Sequence, residues 1–396
     1  MIIAGAGHSG ARAAAALRKH GWTGGIVLVG NESHLPYDRP PLSKAVLLGK
    51  RAFDACSLYP AAWYEQNKVE LVLNTKVERI NRADASVTLE TGECRHYHRL
   101  ILATGSSNNA FKCPGADLRN VWPLRTPGHA REIAASIEGK HLVVIGAGVI
   151  GLEVAAAARE RGGHVTVVEP AQAAMGRSLP LPIAKMLIER HRQRGVNFRF
   201  GMCVTAIEGH DLAHAVVLSS GERLRCDVVV YGIGARANAE LAENAGLLVD
   251  NGIVTNARLQ TDDPAIFACG DACSFHSELF NRNLRLENWR NAEDQADVVA
   301  RNVLGQEVVF DPVPWFWSNQ LDVALQVAGM PNIGAGLELA ESGSATVFVN
   351  RDACGVMCGG GALGPVRDVA GPVKRIKEAI AGRVRSTDFL DAFSRR

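Results

Sequence analysis

One glycine-rich pattern occurs twice in the sequence, and it constrains the fold more than any other feature. Residues 2–4 form a short apolar run that leads into the turn GAGHSG, a stretch of helix formers and a second apolar run at 25–30. Residues 142–145 lead into the turn GAGVIG, an alanine-rich helical stretch and the apolar run 164–169. Strand, glycine turn, helix and strand in this order predict a βαβ unit. The chain is therefore expected to contain two such units.

The glycine spacing gives each turn a specific geometry. The first glycine allows a tight turn, the second lets a pyrophosphate approach the backbone, and the third lets helix and strand pack closely. The helix N-terminus adds unpaired N–H groups and a partial positive charge. The glycines in question are Gly5, Gly7, Gly10, Gly146, Gly148 and Gly151. An alternative is that they only close helix against strand.

Polar residues at the ends of the second strands favour dinucleotide binding over simple packing. Asn31 and Glu32 follow the first of these strands, and Glu169 ends the other. A carboxylate at this point bonds the ribose hydroxyls of NAD and repels the extra phosphate of NADP. Glu169 therefore predicts NADH as the preferred nucleotide, with the nearby Arg177 as the main argument against that choice.

Each half of the sequence contains a second glycine turn after an apolar strand. RLILATG closes at Gly105, and DVVVYGIG closes at Gly232 and Gly234. TDDPAIFACGDAC places Asp271 directly after another apolar strand. A carboxylate there either bonds a polyhydroxyl chain or serves local turn chemistry, and the sequence leaves both open.

Composition excludes several classes of protein. A length of 396 residues suggests two or three domains, and a formal charge of +2 argues against a nucleic-acid partner. Nine cysteines without CxxC spacing predict reduced thiols, a cytoplasmic location and no metal site. Met1 runs directly into the first strand, and the longest apolar run, 142–158, contains Glu153 and three glycines, so neither export nor a membrane span is expected.

Several motifs together resemble a known family. GAGHSG, LILATG, GIGARAN and TDDPAIFACGD occur in the order found in the two-dinucleotide-fold flavoprotein reductases related to glutathione reductase. Within that superfamily, RPPLSK, LENWRNAEDQA at 286–296 and PWFWSNQ at 314–320 resemble the NADH-dependent ferredoxin reductases of Rieske-type oxygenases and bacterial haem monooxygenases. The resemblance extends from Ile2 to about residue 380.

The resemblance implies an α/β fold with two Rossmann-like dinucleotide-binding domains and a C-terminal α+β domain. The FAD domain is expected at 1–108 and 240–310, the NADH domain at 109–239, and the C-terminal domain at 311–396. The residues implied to hold FAD are Gly5, Gly7, Ser9, Gly10, Asn31 or Glu32, Arg39, Lys44, Val77, Ala103, Thr104, Gly105, Arg125, Asp271 and Trp289. Those implied to hold NADH are Gly146, Gly148, Ile150, Gly151, Glu169 and Gly234.

The resemblance also implies three catalytic residues. Disulfide-reducing relatives place redox cysteines soon after the first βαβ unit, where this chain has Ser43 and Lys44 after a stiff Pro-Pro pair. Lys44 is expected to stabilise the negative charge of reduced FAD, unless it is an ordinary surface cation. Glu153 is expected to reach the nicotinamide carboxamide, unless it is a first-turn glutamate favoured by the helix dipole. Trp317 is expected to shield the flavin.

The implied reaction passes a hydride from NADH to FAD and then single electrons to a [2Fe–2S] ferredoxin of the Rieske or plant/adrenodoxin type, which feeds an oxygenase, as in aromatic hydrocarbon catabolism. A basic C-terminal stretch either steers this acidic partner or is a solvated helix face. It contains Lys374, Arg375, Lys377, Arg383 and Arg385. Both monomer and homodimer are compatible with the sequence. The alternatives are reduction of rubredoxin, oxygen or a small molecule, and an NADH-sensing flavoprotein that acts through protein interaction.

Overall fold

The structure is a computed structural model, which describes residues 1–385 and 389–390 and contains the following helices. They are α1 His8–Lys19, α2 Ala61–Gln66, α3 Pro127–Ser136, α4 Val149–Glu160, α5 Leu181–Gln193, α6 Glu240–Asn244, α7 Trp289–Val303 and α8 Val366–Ala381. Short 3₁₀ turns occur at Pro40–Ser43, Phe53–Cys56, Gly270–Ala272 and Pro331–Ile333.

The strands are mostly short. They are β1 Ile2–Ala4, β2 Ile26–Val29, β3 Val69–Val72, β4 Val77–Asn81, β5 Ser86–Leu89, β6 Cys94–His96, β7 Leu100–Leu102, β8 Ser106–Asn108, β9 Val121–Pro123, β10 His141–Ile145, β11 His164–Glu169, β12 Val196–Phe200, β13 Val204–Gly209, β14 Ala213–Leu218, β15 Arg223–Arg225, β16 Val228–Tyr231, β17 Ala235–Ala237, β18 Ile253–Thr255, β19 Ile266–Ala268, β20 Cys273–Ser277, β21 Arg282–Leu284, β22 Trp315–Gln320, β23 Val323–Gly329, β24 Gly336–Ser342, β25 Ala345–Arg351 and β26 Met357–Gly364.

The chain divides into two compact units, each made of three segments. The first unit contains Met1–Asp38, Cys56–Ser107 and Ala235–Pro312, and the second contains Arg39–Ala55, Asn108–Gly234 and Val313–Arg396. The loop 39–55 therefore lies in the second unit, together with the C-terminal sheet. The expected three-domain division stays a prediction.

The first unit is built on a parallel sheet in the order β19-β7-β1-β2-β3. Its central strands are almost wholly apolar because both faces are covered, and Ile2, Ile3 and Leu100 are at most 2% exposed. Helix α1 follows β1 and packs against α7. This unit also contains the antiparallel sheet β4-β5-β6 and the mixed sheet β18-β20-β21, in which β18 and β20 are parallel and β20 and β21 antiparallel.

The second unit repeats the same plan with the parallel sheet β12-β11-β10-β16-β9. Helix α4 follows β10 and packs on β10 and β11. The strand 164–169 has the predicted bounds, and the helix begins at Val149, directly after Gly148 and within the motif GAGVIG rather than after it. Both predicted βαβ units are present, which confirms the α/β fold prediction.

The C-terminal part of the second unit is an antiparallel sheet in the order β22-β23-β26-β25-β24, with α8 packed against β23 and β26. The glycine-rich stretch forms the buried strand β26. Glycine is needed there because larger side chains would collide with neighbouring strands. A Cβ at Gly361 would lie 2.2 Å from the carbonyl oxygen of Gln326. Helix α8 begins at Val366, earlier than the basic pattern indicated, and continues through Pro372.

No helix in the described part of the chain is both long enough and apolar enough to cross a membrane.

Candidate functional site

The first glycine turn joins β1 to α1 and uses its three glycines in different ways. A Cβ on Gly5 would lie 2.1 Å from the Ala103 carbonyl oxygen, and one on Gly10 would lie 1.9 Å from the Gly5 carbonyl oxygen. Gly5 also has a φ of +120°, which L side chains rarely adopt. A Cβ on Gly7 would meet no atom of residues 1–385 or 389–390 within 4 Å. Gly5 and Gly10 are therefore required by the fold, whereas Gly7 faces open space.

The second turn, between β10 and α4, shows the same division. Cβ atoms on Gly146 and Gly151 would lie 2.4 Å and 2.1 Å from the carbonyl oxygens of Gly232 and Gly146, respectively. A Cβ on Gly148 would again meet nothing within 4 Å in the part of the chain that the structure describes. Close packing of helix and strand requires glycine at the outer positions of each turn. It does not require glycine at the middle position.

Both helix N-termini are also uncapped by side chains. The N-cap residues are Gly7 and Gly148, neither helix has a side-chain cap, and neither has an acidic residue in its first turn. Thr126 caps α3 and Asn288 caps α7, whereas α2 and α5 also lack a side-chain cap but have proline at the N-cap position. The glycine at the N-cap therefore distinguishes α1 and α4. An open helix N-terminus behind a glycine backbone fits an anionic pyrophosphate.

Glu169, at the end of β11, accepts two backbone hydrogen bonds. Its carboxylate oxygens lie 2.8 Å from the Ala147 nitrogen and 2.9 Å from the Ala171 nitrogen. The side chain therefore shapes the glycine turn and places a negative charge beside it. Arg177 lies near Gly234, since a Cβ at Gly234 would be 3.4 Å from the Arg177 Nη2. The predicted choice of NADH over NADPH therefore stays a prediction.

The corresponding acids in the first unit are less alike. Asn31 is exposed, whereas Glu32 is half-buried and accepts a hydrogen bond of 2.7 Å from the Tyr37 hydroxyl. Glu32 thus has the more restricted side chain. Which of them bonds the FAD ribose stays a prediction.

Ser9 and Asp271 have defined partners within the first unit. The Ser9 hydroxyl is buried, 3.0 Å from the Cys269 Sγ and 3.3 Å from the Ala292 carbonyl oxygen. Asp271 lies in a 3₁₀ turn after β19 and accepts a hydrogen bond of 2.7 Å from the Ser106 hydroxyl. The turn position agrees with the motif, and the roles of both residues toward FAD stay predictions.

The LATG segment after β7 is also held within the first unit. Thr104 Oγ1 donates to the Asn238 carbonyl oxygen at 2.6 Å, and the Asn238 nitrogen donates to the Gly105 carbonyl oxygen at 3.0 Å. Ala103 is buried under Gly5, and Val77 is buried at the start of β4. Ala103 therefore lies against the first glycine turn, and the roles of Val77, Thr104 and Gly105 toward FAD stay predictions.

A charged cluster surrounds the start of α1. The imidazole of His8 lies 3.1 Å from Asp38 through Nδ1 and 2.8 Å from Glu293 through Nε2. Trp289, the first residue of α7, donates to Asp38 at 2.8 Å and lies over the His8 ring at 5.1 Å. Burial alone lowers the pKa of His8, but the hydrogen bonds and charges of the two carboxylates outweigh it and raise that pKa. The two carboxylates therefore favour the charged form of His8.

Within the second unit, Lys44 and Glu153 form an ion pair, with 3.0 Å between Nζ and Oε1. Glu153 is only 5% exposed and is the fifth residue of α4, beyond the first turn. A first-turn interaction with the helix dipole therefore does not account for it. Ser43 and Ser318 each donate to the same carboxylate at 2.5 Å. The loop and β22 thus converge on one buried charge.

The remaining predicted residues of the second unit are more exposed. Arg39 Nη1 donates to the Arg125 carbonyl oxygen at 2.8 Å. Ile150 is 43% exposed at the start of α4. Trp317 stacks on Trp315, with ring centroids 5.2 Å apart. The roles assigned to these residues stay predictions.

All nine cysteines lie in the described part of the chain and are free thiols. Burial raises the pKa values of Cys226, Cys269 and Cys273 to about 12 and that of Cys358 to about 11, so these thiols are protonated near neutral pH. Among the described residues there is also no group of three or more His, Cys, Asp or Glu side chains placed to hold a metal ion.

Sequence reasoning missed two sets of functional candidates. In the first unit these are His8, Arg12, Asp38 and Glu293, of which His8 lies in GAGHSG and Glu293 in LENWRNAEDQA. In the second unit they are Ser318, Gln320 and His191. The available signal was the run of three polar residues, 318–320, that follows three aromatic residues in one strand, because its first and third residues share one face.

Comparison with known proteins agrees with this geometry. The profile of the pyridine nucleotide-disulphide oxidoreductase family matches residues 1–296. The ferredoxin–NAD(+) reductase component of an anthranilate 1,2-dioxygenase system from Burkholderia cepacia is 40% identical over 337 residues, 85% of this chain and 82% of that protein. A rubredoxin–NAD(+) reductase from Pseudomonas putida is 38% identical over 331 residues, 83% of this chain and 86% of that protein.

The fold is shared with a solved reductase. In the covalent putidaredoxin reductase–putidaredoxin complex, the matched chain is 33% identical, with a TM-score of 0.92 over 100% of this chain and 99% of that one. The match confirms the resemblance seen in the motifs. Proteins of this family and its ferredoxin reductase relatives use FAD and NAD(H), which the two open glycine turns fit. The chain belongs to the pyridine nucleotide-disulphide oxidoreductase family.

Proposed function

We propose that the protein is an FAD-dependent NADH:ferredoxin oxidoreductase. The observation that carries this proposal is the pair of open, side-chain-free helix N-termini at Gly7 and Gly148, one in each unit. Two such sites in one chain fit two dinucleotides, one that serves as the resident cofactor and one that exchanges. Relatives named as ferredoxin and rubredoxin reductases support the choice of acceptor class.

The first unit is proposed to hold FAD and the second NADH. The first glycine turn is flanked by an aromatic side chain, Trp289, and by the charged residue His8, which suits a cofactor that stays bound. The second is flanked by Glu169, whose carboxylate suits the free ribose hydroxyls of NADH. When bound, FAD supplies the chemistry that accepts an electron pair from NADH and releases single electrons.

The residues of the chain would bind and orient these groups rather than transfer protons. No acid–base pair is required for such electron transfer, and the Lys44–Glu153 pair instead places two opposite charges in a fixed geometry. The loop that carries Lys44 contains no cysteine, so reduction of a disulfide through this loop is not proposed.

The proposed partner is a [2Fe–2S] ferredoxin, of either the Rieske or the plant/adrenodoxin type. Helix α8 offers the exposed residues Lys374 and Arg375, and a basic surface of this kind favours encounter with an acidic ferredoxin. The oligomeric state and a cytoplasmic location stay predictions.

The test is NADH-driven cytochrome c reduction by the purified yellow protein, with and without a [2Fe–2S] ferredoxin from a neighbouring operon. Strong dependence on the ferredoxin is the expected result. Gly148→Ala is the matched control, because it closes the open space of the second turn and leaves the first turn intact. It should retain bound flavin and lose activity at low NADH concentration.

If several ferredoxins fail to be reduced while NADH still bleaches the flavin, the proposal that a ferredoxin is the electron acceptor is refuted. The same assay with rubredoxin would then test the second candidate, which the 38% identical rubredoxin reductase favours.

Lys374→Glu tests the proposed docking surface on α8. At low salt this variant should need a higher ferredoxin concentration for the half-maximal rate. Lys76→Glu, which changes an exposed lysine in the first unit, is the control and should not need more ferredoxin.

A further inference from the structure

The buried Glu153 carboxylate is the end point of a continuous chain of hydrogen bonds within the second unit. Ser318 Oγ donates to Glu153 Oε1 at 2.5 Å, and Gln320 Nε2 donates to Ser318 Oγ at 3.0 Å. His191 Nε2 lies 2.9 Å from Gln320 Oε1. The three side chains beyond Glu153 are at most 2% exposed. Such a chain is costly to bury unless each polar group has a partner.

The chain has one consistent direction. Burial lowers the pKa of His191 despite its hydrogen bond to Gln320, so the ring is neutral and carries one proton. Nδ1 has no hydrogen-bond partner among the described residues, so the proton belongs on Nε2, where it is donated to the Gln320 oxygen. This orients the Gln320 amide with its N–H group toward Ser318. The Ser318 proton is then left to point at Glu153.

All donors in the chain therefore point toward the carboxylate. Ser43 and Lys44 approach Glu153 from the loop, while Ser318 approaches from β22, so the carboxylate is fixed from two sides. On β22, Ser318 and Gln320 share the face that packs on α4, and the exposed Asn319 lies on the other face. The position of the Lys44 ammonium is then set by residues far from it in sequence.

We propose that Ser318, Gln320 and His191 are positioning residues that fix the Glu153 carboxylate and, through it, the Lys44 ammonium for reaction with NADH. This inference rests on the proposed function and adds residues to its site. None of the three would touch the nucleotide. They would act by removing the rotational freedom of a charged group, and a displacement of about 1 Å in such a group can cost about a hundredfold in rate.

The chain offers a matched control for the loss of a buried serine. Ser277, in the first unit, is also 0% exposed and donates to a carboxylate, Asp311 Oδ1, at 2.5 Å. Ser277→Ala and Ser318→Ala therefore remove the same kind of hydrogen bond. Each should raise the unfolding equilibrium constant by about tenfold. An effect that only Ser318→Ala shows is then not due to lost stability.

The first readout is anaerobic flavin reduction by NADH. In Ser318→Ala the limiting rate should fall about tenfold, with the half-saturating NADH concentration little changed, whereas Ser277→Ala should keep the wild-type rate. Ser318→Thr, which retains the hydroxyl, should recover most of the rate. In a Glu153→Gln background, Ser318→Ala should cause no further loss, because both changes act on the same group. Equal rates in the two alanine variants, or losses that multiply, would overturn the inference.

The second readout does not depend on activity. Labelling of Lys44 by an amine-reactive reagent, followed by mass spectrometry with the exposed Lys50 as internal reference, reports whether the ammonium is held. Ser318→Ala and Gln320→Met should raise Lys44 labelling severalfold, and Ser277→Ala should not. Unchanged labelling would refute the inference even if NADH failed to reduce the flavin, an outcome that by itself would refute the proposed function.

Discussion

The two glycine turns are alike in backbone and differ in the side chains around them. Helices α1 and α4 are both twelve residues long, and each begins directly after an open glycine. The fifth residue of α1 is Arg12, which pairs with Glu293 at 2.5 Å. The fifth residue of α4 is Glu153, which pairs with Lys44 at 3.0 Å. The same glycine turn is therefore followed by residues of opposite charge at equivalent helix positions.

The two ion pairs also differ in burial. Arg12 and Glu293 are 28% and 22% exposed, whereas Glu153 is 5% exposed. Water therefore screens the first pair more than the second. The backbone of the turn explains where a dinucleotide binds, and the surrounding side chains are what can make two sites chemically different.

The largest expected effect comes from the third glycine of each turn. Gly10→Ala and Gly151→Ala should each lower the free energy of unfolding by about 3 kcal/mol or more, because the new Cβ would lie 1.9 Å and 2.1 Å from a backbone oxygen. Gly7→Ala and Gly148→Ala should leave unfolding almost unchanged and weaken only nucleotide binding. Denaturant unfolding of the apoprotein measures this, and equal losses at middle and third glycines would contradict the division of roles.

The second largest effect comes from removing the cation of each ion pair, and the loss of stability should differ between the two units. Lys44→Met leaves Glu153 buried with only its serine donors, so we expect a loss of about 2 kcal/mol. Arg12→Met leaves a more solvated Glu293, so we expect less than about 1 kcal/mol. Urea unfolding of both variants tests the difference. A larger loss for Arg12→Met would show that burial does not distinguish the pairs.

The acid at the end of β11 should control nucleotide choice in the second unit alone. Glu169→Ala should lower the NADH:NADPH ratio of kcat/KM about tenfold, equal to about 1.4 kcal/mol. Glu169→Gln should shift the ratio similarly, because it removes the charge and keeps an acceptor for the backbone. Glu32→Gln, in the first unit, should not alter the ratio. An unchanged ratio in both Glu169 variants would refute this role of the carboxylate.

The smallest expected effect is the pH dependence of stability, which should have opposite directions for two histidines. The pKa of His8 is raised in the folded protein, so its contribution is complete below pH 6.5 and is lost as pH rises through the folded value. The pKa of His191 is lowered, so its stabilising effect is instead lost as pH falls below 6.5.

Melting temperatures of the wild type, His8→Gln and His191→Gln across this pH range measure both effects. The His8→Gln curve should be flatter above pH 6.5, and the His191→Gln curve flatter below it. If the two variants flatten the same side of the profile, the assignment of charged and neutral histidines is wrong.

Much of the fold could be predicted because its signals are local. Glycine spacing, apolar strands and helix formers lie within about thirty residues in each βαβ unit. The basic stretch indicated only the later part of α8, which begins at Val366 and continues through Pro372 where it packs against β23 and β26. The roles of the outer and middle glycines followed from spacing alone, and the clashes at Gly5 and Gly10 agree with them.

The sequence by itself determined two glycine turns, two candidate acids and a loop with lysine in place of cysteine, because each is a property of neighbouring residues. Only the tertiary structure decided that Glu153 lies between Lys44 and Ser318, and that His191 supports it through Gln320. The physical reason is distance along the chain. A buried carboxylate must find donors wherever the fold brings them, and here they come from segments more than a hundred residues away.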